Sequence, residues 1–275
     1  MPVHVDAEVI ATRRAGAYRV LSLAAPGVAD GFRPGMFVAV TVGTGSLGRR
    51  SLWIHRVRES GTHGACLDVV VEPRGQGGTW LAGRRLGDRV PLTGPLGRPF
   101  ALPREPVACL LVGEGVAAAS LFTLAERLRE RACPVTMLVA ADDEAHLVST
   151  LEARRLARAV TVATADGSVG TRGSAEGVLG AVLTSSGAQV TYAAGSPALL
   201  RAVAEAARVR ELSAQVALAP PMPCGTGLCG ACLVPVQDSV GAAHWVRACV
   251  EGPAMRADRV RWDAAPQAGG APWPH

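Results

Sequence analysis

From the amino terminus to about Thr93, short apolar runs alternate with polar turns. They cover Val3 to Ile10, Tyr18 to Leu23, Met36 to Val42, Leu52 to Val57, Leu67 to Glu72 and Arg89 to Leu92. Runs of this length, rich in β-branched residues and punctuated by glycine and proline, predict the strands of a small antiparallel barrel. One short helix is expected among them, at Thr79 to Leu86.

After Val107 the rhythm changes. Ala108 to Val112 reads as a buried strand, and Leu121, Leu124, Ala125 and Leu128 then recur at helical spacing. The alternation continues with strand Val135 to Ala140, helix Glu144 to Leu156, strand Val160 to Ala163 and helix Ala175 to Leu183. Strand Val190 to Ala194, helix Ala198 to Ala207 and a last strand at Val216 to Leu218 follow. Strands that alternate with helices predict a parallel sheet covered on both faces. The fold class expected is therefore a β-barrel, then an α/β unit, then a small cysteine-loop domain. The tail 263–275, rich in alanine, proline and glycine, is expected to be disordered.

With 275 residues, 49% of them hydrophobic, the chain can build two or three compact units. No apolar run is long enough to span a membrane, and the amino terminus lacks the basic-then-apolar order of a signal peptide, so a cytoplasmic protein is expected. The chain has no lysine, so its fixed positive charge is all arginine; the formal net charge is only +5, and the arginines are dispersed. Without a basic patch interleaved with aromatics, nucleic-acid binding has no support. Cys66, Cys109 and Cys133 lie in apolar surroundings without ligand spacing and read as small buried hydrophobes.

The other four cysteines carry the chemistry. Cys224, Cys229 and Cys232 stand as C-x4-C-x2-C, and Cys249 follows after sixteen intervening residues. That arrangement suits a plant-type two-iron cluster, which needs four thiolates. Gly225, Gly227, Gly230 and Ala231 leave room around the inorganic sulfides, and the glycines tolerate the positive φ of a loop that wraps them. A structural zinc site and a pair of disulfides are the alternatives; zinc usually draws its cysteines as two short-spaced pairs.

A barrel, an α/β unit and a ferredoxin-like loop, in that order, resemble the ferredoxin-reductase-like electron-transfer proteins. The segments C-G-T-G-L-C-G-A-C at Cys224 to Cys232 and A-C-V-E-G-P-A-M-R-A-D-R-V-R-W at Ala248 to Trp262 are similar to the electron-transfer subunits of two-subunit, NAD-dependent dihydroorotate dehydrogenases. Supporting pieces are G-P-L-G-R-P-F at Gly94 to Phe100, G-Q-G-G-T-W-L at Gly75 to Leu81 and D-G-S-V-G at Asp166 to Gly170. The resemblance covers nearly the whole chain. It implies an oxidoreductase subunit of pyrimidine biosynthesis in a hetero-oligomer, with FAD on the barrel (1–103), NADH on the α/β unit (104–213) and a [2Fe-2S] cluster in 214–262. It also implies a catalytic partner subunit that carries FMN and performs the substrate chemistry. A flavin would split the electron pair of NADH into the single electrons a two-iron cluster accepts.

The resemblance implies flavin contacts at Arg50, Ser51, Leu52 and Trp53 and in the loop Gly75, Gly77, Gly78 and Thr79. Gly113, Gly115 and Asp142 would meet the dinucleotide, with Cys224, Cys229, Cys232 and Cys249 on iron. Within R-R-S-L-W-I at Arg49 to Ile54, Arg50 matches the arginine that takes a flavin phosphate. Ser51 replaces a proline, and Trp53 stands where a hydroxyl would face the flavin ring, to stack on the ring or to take its place. In G-E-G-V-A-A-A-S, Glu114, Ala117 and Ser120 replace residues of the family's glycine-rich run, and Glu114 brings negative charge towards phosphates. A-G-S-P at Ala194 to Pro197 stands where Cys-Gly-Pro is expected. Asp142 and Asp143 suit ribose hydroxyls and favour NAD over NADP, or cap a helix. Two further readings share the pattern: a repurposed subunit that keeps the cluster but has lost flavin or NADH, and a stand-alone reductase. A partner would meet an apolar patch drawn from Leu228, Leu233, Pro220, Pro221 and Met222.

Overall fold

The structure is a computed structural model, and it describes residues 1–43, 48–58 and 64–264. Residues 265–275, most of the tail expected to be disordered, lie outside the described residues. The first half of the chain forms β1 (Val3–Ala15), β2 (Tyr18–Ala24), α1 (Pro26–Ala29), β3 (Phe37–Val40), β4 (Arg50–Arg58), β5 (Cys66–Val71), α2 (Gly75–Ala82) and β6 (Arg89–Leu96). The six strands close into a barrel in the order β1-β2-β5-β4-β3-β6, and every pairing is antiparallel. Alternate residues, among them Val9, Leu21, Leu23, Val38, Val40, Leu67, Val69 and Leu92, fill the interior. The helix expected at Thr79 to Leu86 begins four residues earlier, at Gly75. Gly78 lies so close to the carbonyl oxygen of Glu72 that a Cβ would stand 2.4 Å from it. That close packing makes helical a stretch whose glycines read as a loop.

The α/β unit follows as β7 (Cys109–Glu114), a 3₁₀ turn (Gly115–Leu121), α3 (Phe122–Glu130), β8 (Val135–Ala141), α4 (Thr150–Leu156), β9 (Ala159–Thr164), β10 (Thr171–Arg172), α5 (Ala175–Ser186), β11 (Val190–Ala194), α6 (Pro197–Val209) and β12 (Ser213–Ala217). Helices α5 and α6 pack on one face of the sheet with Leu110, Val112 and Leu138, while α3 and α4 pack on the other with Leu111, Met137 and Val139. The alternation of buried residues along β7 and β8 thus serves two cores. One long helix was expected over Glu144 to Leu156. The structure instead has a 3₁₀ turn at Glu144–His146 and restarts the helix at Thr150, with Ser149 at φ +48°. Asp143 caps the first turn by accepting from the His146 amide at 3.0 Å, and Val148 is buried, which draws the chain inward between the two pieces.

The last segment is an excursion from the edge of the sheet. The chain leaves β12, forms the cysteine loop, the hairpin β13 (Leu233–Gln237) and β14 (Ala243–Arg247) and the one-turn helix α7 (Ala248–Glu251). It then returns as β15 (Ala254–Arg256), antiparallel beside β12. The larger sheet runs β10-β9-β8-β7-β11-β12-β15. Strands β13, β14 and β15 were not among the expected elements; β13 and β14 pair with each other and β15 with β12. No described helix is long and apolar enough to cross a membrane.

Candidate cluster and flavin sites

The cysteine loop is held against the barrel before any metal is considered. Gly225, at φ +69°, lies against Ala39, Leu96 and Phe37, where a Cβ would come within 2.9 Å of the Ala39 side chain. Gly227, at φ +82°, lies under Val250, whose methyl would be 2.6 Å from an added Cβ. Only glycine satisfies both the backbone and the space at these positions. The Arg247 guanidinium donates to the Gly227 carbonyl. The Ala248 amide donates to the Cys232 carbonyl at 2.9 Å and so delivers Cys249 to the loop. From the barrel side, the Arg98 amide donates to the Gly252 carbonyl, and Arg98 pairs with Glu251 at 3.2 Å. G-P-L-G-R-P-F and C-V-E-G-P, which stand far apart in the chain, are therefore one contact.

The four sulfurs gather two and two. Cys232 and Cys249 are buried, with their sulfurs 3.3 Å apart, too far for a disulfide. Cys224 and Cys229 form the outer pair, and Cys229 is exposed. Cys232 with Cys249 and Cys224 with Cys229 give two adjacent thiolate pairs, and a two-iron cluster takes two thiolates on each iron. The electrostatics differ between Cys224 and Cys249. Partial burial raises the Cys224 thiol, but amide hydrogen bonds from Cys229, Thr226 and Leu228 outweigh it and hold the thiol down at about 6. Burial, with Cys232 alongside, pushes Cys249 up to about 12. Cys224 is prepared as thiolate by the protein, and Cys249 needs the positive charge of the metal.

Strand β4 connects this loop to the barrel. The Arg49 amide donates to the Pro223 carbonyl at 2.9 Å, and Ser51 Oγ donates to the Met222 carbonyl at 3.1 Å. Between them lies a cleft of about 250 Å³, walled by Phe37 and Arg49–Trp53 on one side and Ala219–Pro223 on the other. Trp53 pairs with Phe37 across β3 and β4 and forms part of the wall, so the cleft persists beside its ring. Leu52 lines the same wall. At the same end of the strand, between Arg49 and Ser51, the exposed Arg50 guanidinium lies over the start of α2. A Cβ on Gly77 would be 2.4 Å from Arg50 Nε, and one on Gly75 would be 3.7 Å from its terminal nitrogen. No carboxylate among the described residues pairs with Arg50. Arg74, the residue before α2, offers no side-chain cap, and Thr79 is exposed in the first turns. A cation above uncapped helix amides is a fitting cradle for a pyrophosphate.

The expected dinucleotide residues collect at the carboxyl ends of β7, β8 and β11. Gly113 is there for packing, since a Cβ would be 2.6 Å from that of Ala118. Gly115 enters the 3₁₀ turn at φ +52°. Asp142 is exposed at the end of β8, while Asp143 is the cap of the turn that follows. Glu114 is not free: its Oε2 accepts from the Ser196 amide at 2.7 Å. As the site stands, this carboxylate occupies one backbone amide of the turn after β11.

Of the apolar patch expected around the loop, Leu228 is 89% exposed and Leu233 46%, whereas Pro220 and Met222 are buried. Met222 faces the core because its carbonyl is tied to Ser51. Trp245 and Val250 are exposed in their stead, on a hairpin and turn that had no sequence signal.

Residues 220–261 match the family model of the iron-sulfur cluster binding domain of dihydroorotate dehydrogenase B. The chain is 31% identical over 242 residues to the electron transfer subunit of dihydroorotate dehydrogenase B (NAD(+)) from Desulforamulus reducens, covering 87% of this chain and 90% of that one. It is 33% identical to the Bacillus caldolyticus subunit of the same name, with 91% and 96% covered. A solved structure of an NADH-dependent reduced ferredoxin-NADP oxidoreductase superposes with a TM-score of 0.80 at 27% identity, covering 94% and 91%. The Amycolatopsis cytochrome P450 reductase GcoB shares the fold, with a TM-score of 0.61 at 22% identity over 77% and 67%. With the four thiolates paired two and two on a ferredoxin-reductase-like frame, the chain belongs to the family of dihydroorotate dehydrogenase B electron transfer subunits.

Proposed function

We propose that the chain passes electrons between FAD in the β4 cleft, a [2Fe-2S] cluster on Cys224, Cys229, Cys232 and Cys249, and an FMN-bearing dehydrogenase subunit bound over the cluster loop. The observation that carries this reading is the pair of hydrogen bonds from Arg49 and Ser51 to Pro223 and Met222, which fixes the flavin strand to the residue before the first cluster cysteine. FAD supplies the exchange between electron pairs and single electrons, and the cluster carries one electron at a time.

The chain's own residues divide the work by segment. In 1–103, Arg50 with Gly75, Gly77, Gly78 and Thr79 holds the pyrophosphate, and Ser51, Leu52 and Trp53 line the ring cleft. Segment 214–262 presents the four thiolates, and Leu228, Leu233, Trp245 and Val250 exclude water where the partner docks. Segment 104–213, with Gly113, Gly115 and Asp142, is the NAD-binding unit of the family reading. Reduced thiolates of this kind suit the cytoplasm. A second reading, a subunit that keeps flavin and cluster but binds NADH poorly, is favoured by the contact of Glu114 with Ser196.

The test is anaerobic purification with an absorption spectrum, an iron count and identification of acid-released flavin, followed by co-expression with a dehydrogenase subunit and size measurement. Flavin, iron and a stable heteromer support the reading. Zinc in place of iron, or a monomer under co-expression, defeats it.

A further inference from the structure

Strand β7 is followed in space by β8 on one side and by β11 on the other, and the chain proceeds from β11 to β12 in the opposite direction. In open α/β sheets, the crevice beyond the carboxyl ends of two such strands is where ligands bind. Glu114 is the last residue of β7, and Gly195 and Ser196 form the turn after β11. The Glu114 side chain crosses this crevice, and Oε2 accepts from the Ser196 amide at 2.7 Å. The fit is close: a Cβ on Gly195 would be 2.8 Å from Glu114 Cβ and 3.0 Å from its Oε2. Ser196 Oγ accepts from the Leu199 amide at 3.2 Å, so the protein itself satisfies two of the amides at this turn. Among the described residues no arginine pairs with Glu114.

We propose that Glu114 is the specificity-determining residue of this crevice: its carboxylate bridges the two turns, and a pyrophosphate-bearing dinucleotide binds only by displacing it. The inference rests on reading 104–213 as the dinucleotide-binding segment. Two negative charges within a few ångströms of each other repel by well over the equivalent of tenfold in affinity, even with substantial screening by protein and solvent. Release of the Ser196 amide adds to that penalty, since the freed amide must find a new acceptor. The crevice as built therefore disfavours phosphate more than the glycine-rich turn of a ready dinucleotide site would.

The probe is ADP-ribose, which carries the pyrophosphate and cannot reduce the flavin, titrated calorimetrically into anaerobically prepared holoprotein. Glu114→Gln removes the charge and keeps an acceptor for Ser196, and Glu114→Thr also frees the amide. Wild type should bind weakly, Glu114→Gln tighter, and Glu114→Thr tightest, at least about tenfold above wild type. Iron and flavin contents should match wild type, which keeps a folding defect from imitating the effect, while Glu114→Thr should melt slightly earlier for the lost bond to Ser196. Equal, measurable affinities in all three proteins overturn the proposal and leave the dinucleotide reading standing. Absence of binding by all three at millimolar ADP-ribose overturns both.

Discussion

His55 Nε2, inside β4 of the barrel, lies 3.4 Å from Glu152 Oε2 in α4 of the α/β unit. The His55 ring is 1% exposed and stacks edge-on against Phe122 at 4.7 Å. Its Nδ1 donates to the Ala119 carbonyl at 3.3 Å, in the 3₁₀ turn after β7. Arg56, next along β4, pairs with the same Glu152. One strand thus carries Arg50 to Trp53, which line the cleft beside the cluster loop, and the contacts that hold the turn after β7. The relative position of the two units is set within that strand.

This contact predicts an acid-sensitive interface. Burial raises the Glu152 carboxyl, but His55 and Arg56 outweigh it and hold it down at about 2, below its ordinary 4.5. A depressed carboxylate stabilises the fold in full above the unfolded value, and that contribution drains away as pH falls from about 4.5 towards 2. Glu152→Gln should lower stability at pH 7 by about 2 kcal/mol and flatten the dependence of the melting temperature across that acid window. Thermal melts of both proteins from pH 2.5 to 7 measure it, and parallel curves count against the pairing.

Iron content should follow the two sulfur pairs and ignore the other cysteines. Cys232→Ser or Cys229→Ser, prepared without oxygen, should lose the visible chromophore and the iron, which a two-iron cluster would put at about two atoms per chain in the parent protein. Cys66→Ser, Cys109→Ser and Cys133→Ser should keep both. Iron assay with electron paramagnetic resonance after dithionite separates the groups.

Flavin retention should depend on Arg50 and on the absence of a side chain at Gly77. Arg50→Ala is expected to weaken FAD binding by roughly one to two orders of magnitude, the range for losing a charge-assisted phosphate contact. Gly77→Ala should act in the same direction, because its methyl would meet Arg50 Nε at 2.4 Å. Flavin released per chain, with iron as the internal standard, is the measurement; unchanged flavin in Arg50→Ala removes the phosphate role.

Leu228→Asp should leave melting temperature and iron unchanged, since its side chain is 89% exposed. It should weaken association with the dehydrogenase subunit by about tenfold or more, as expected for a charge placed in the centre of an apolar interface. Size-exclusion of the co-expressed pair tests it, and undiminished heteromer would place the partner elsewhere.

Local chemistry carries far in this chain. Spacing between Cys224, Cys229 and Cys232 is a property of one loop, and the periodicities of β1 to β6 and of the α/β unit report which side of each element is buried. Those signals need no distant partner, so the order of barrel, α/β unit and cluster could be read from the residues alone. The pairing of sulfurs two and two could not, because it depends on the Ala248 amide reaching the Cys232 carbonyl. Nor could the burial of Met222, which follows from a hydrogen bond to Ser51 across 171 positions, or the clasp of Glu114 on Ser196 across 82. Strands β13 to β15 likewise exist only through their neighbours. Contacts between residues far apart in the chain leave no periodic trace, since each depends on where two separate elements are packed, and it is these contacts that give the cysteine loop, Arg50 and Glu114 their surroundings.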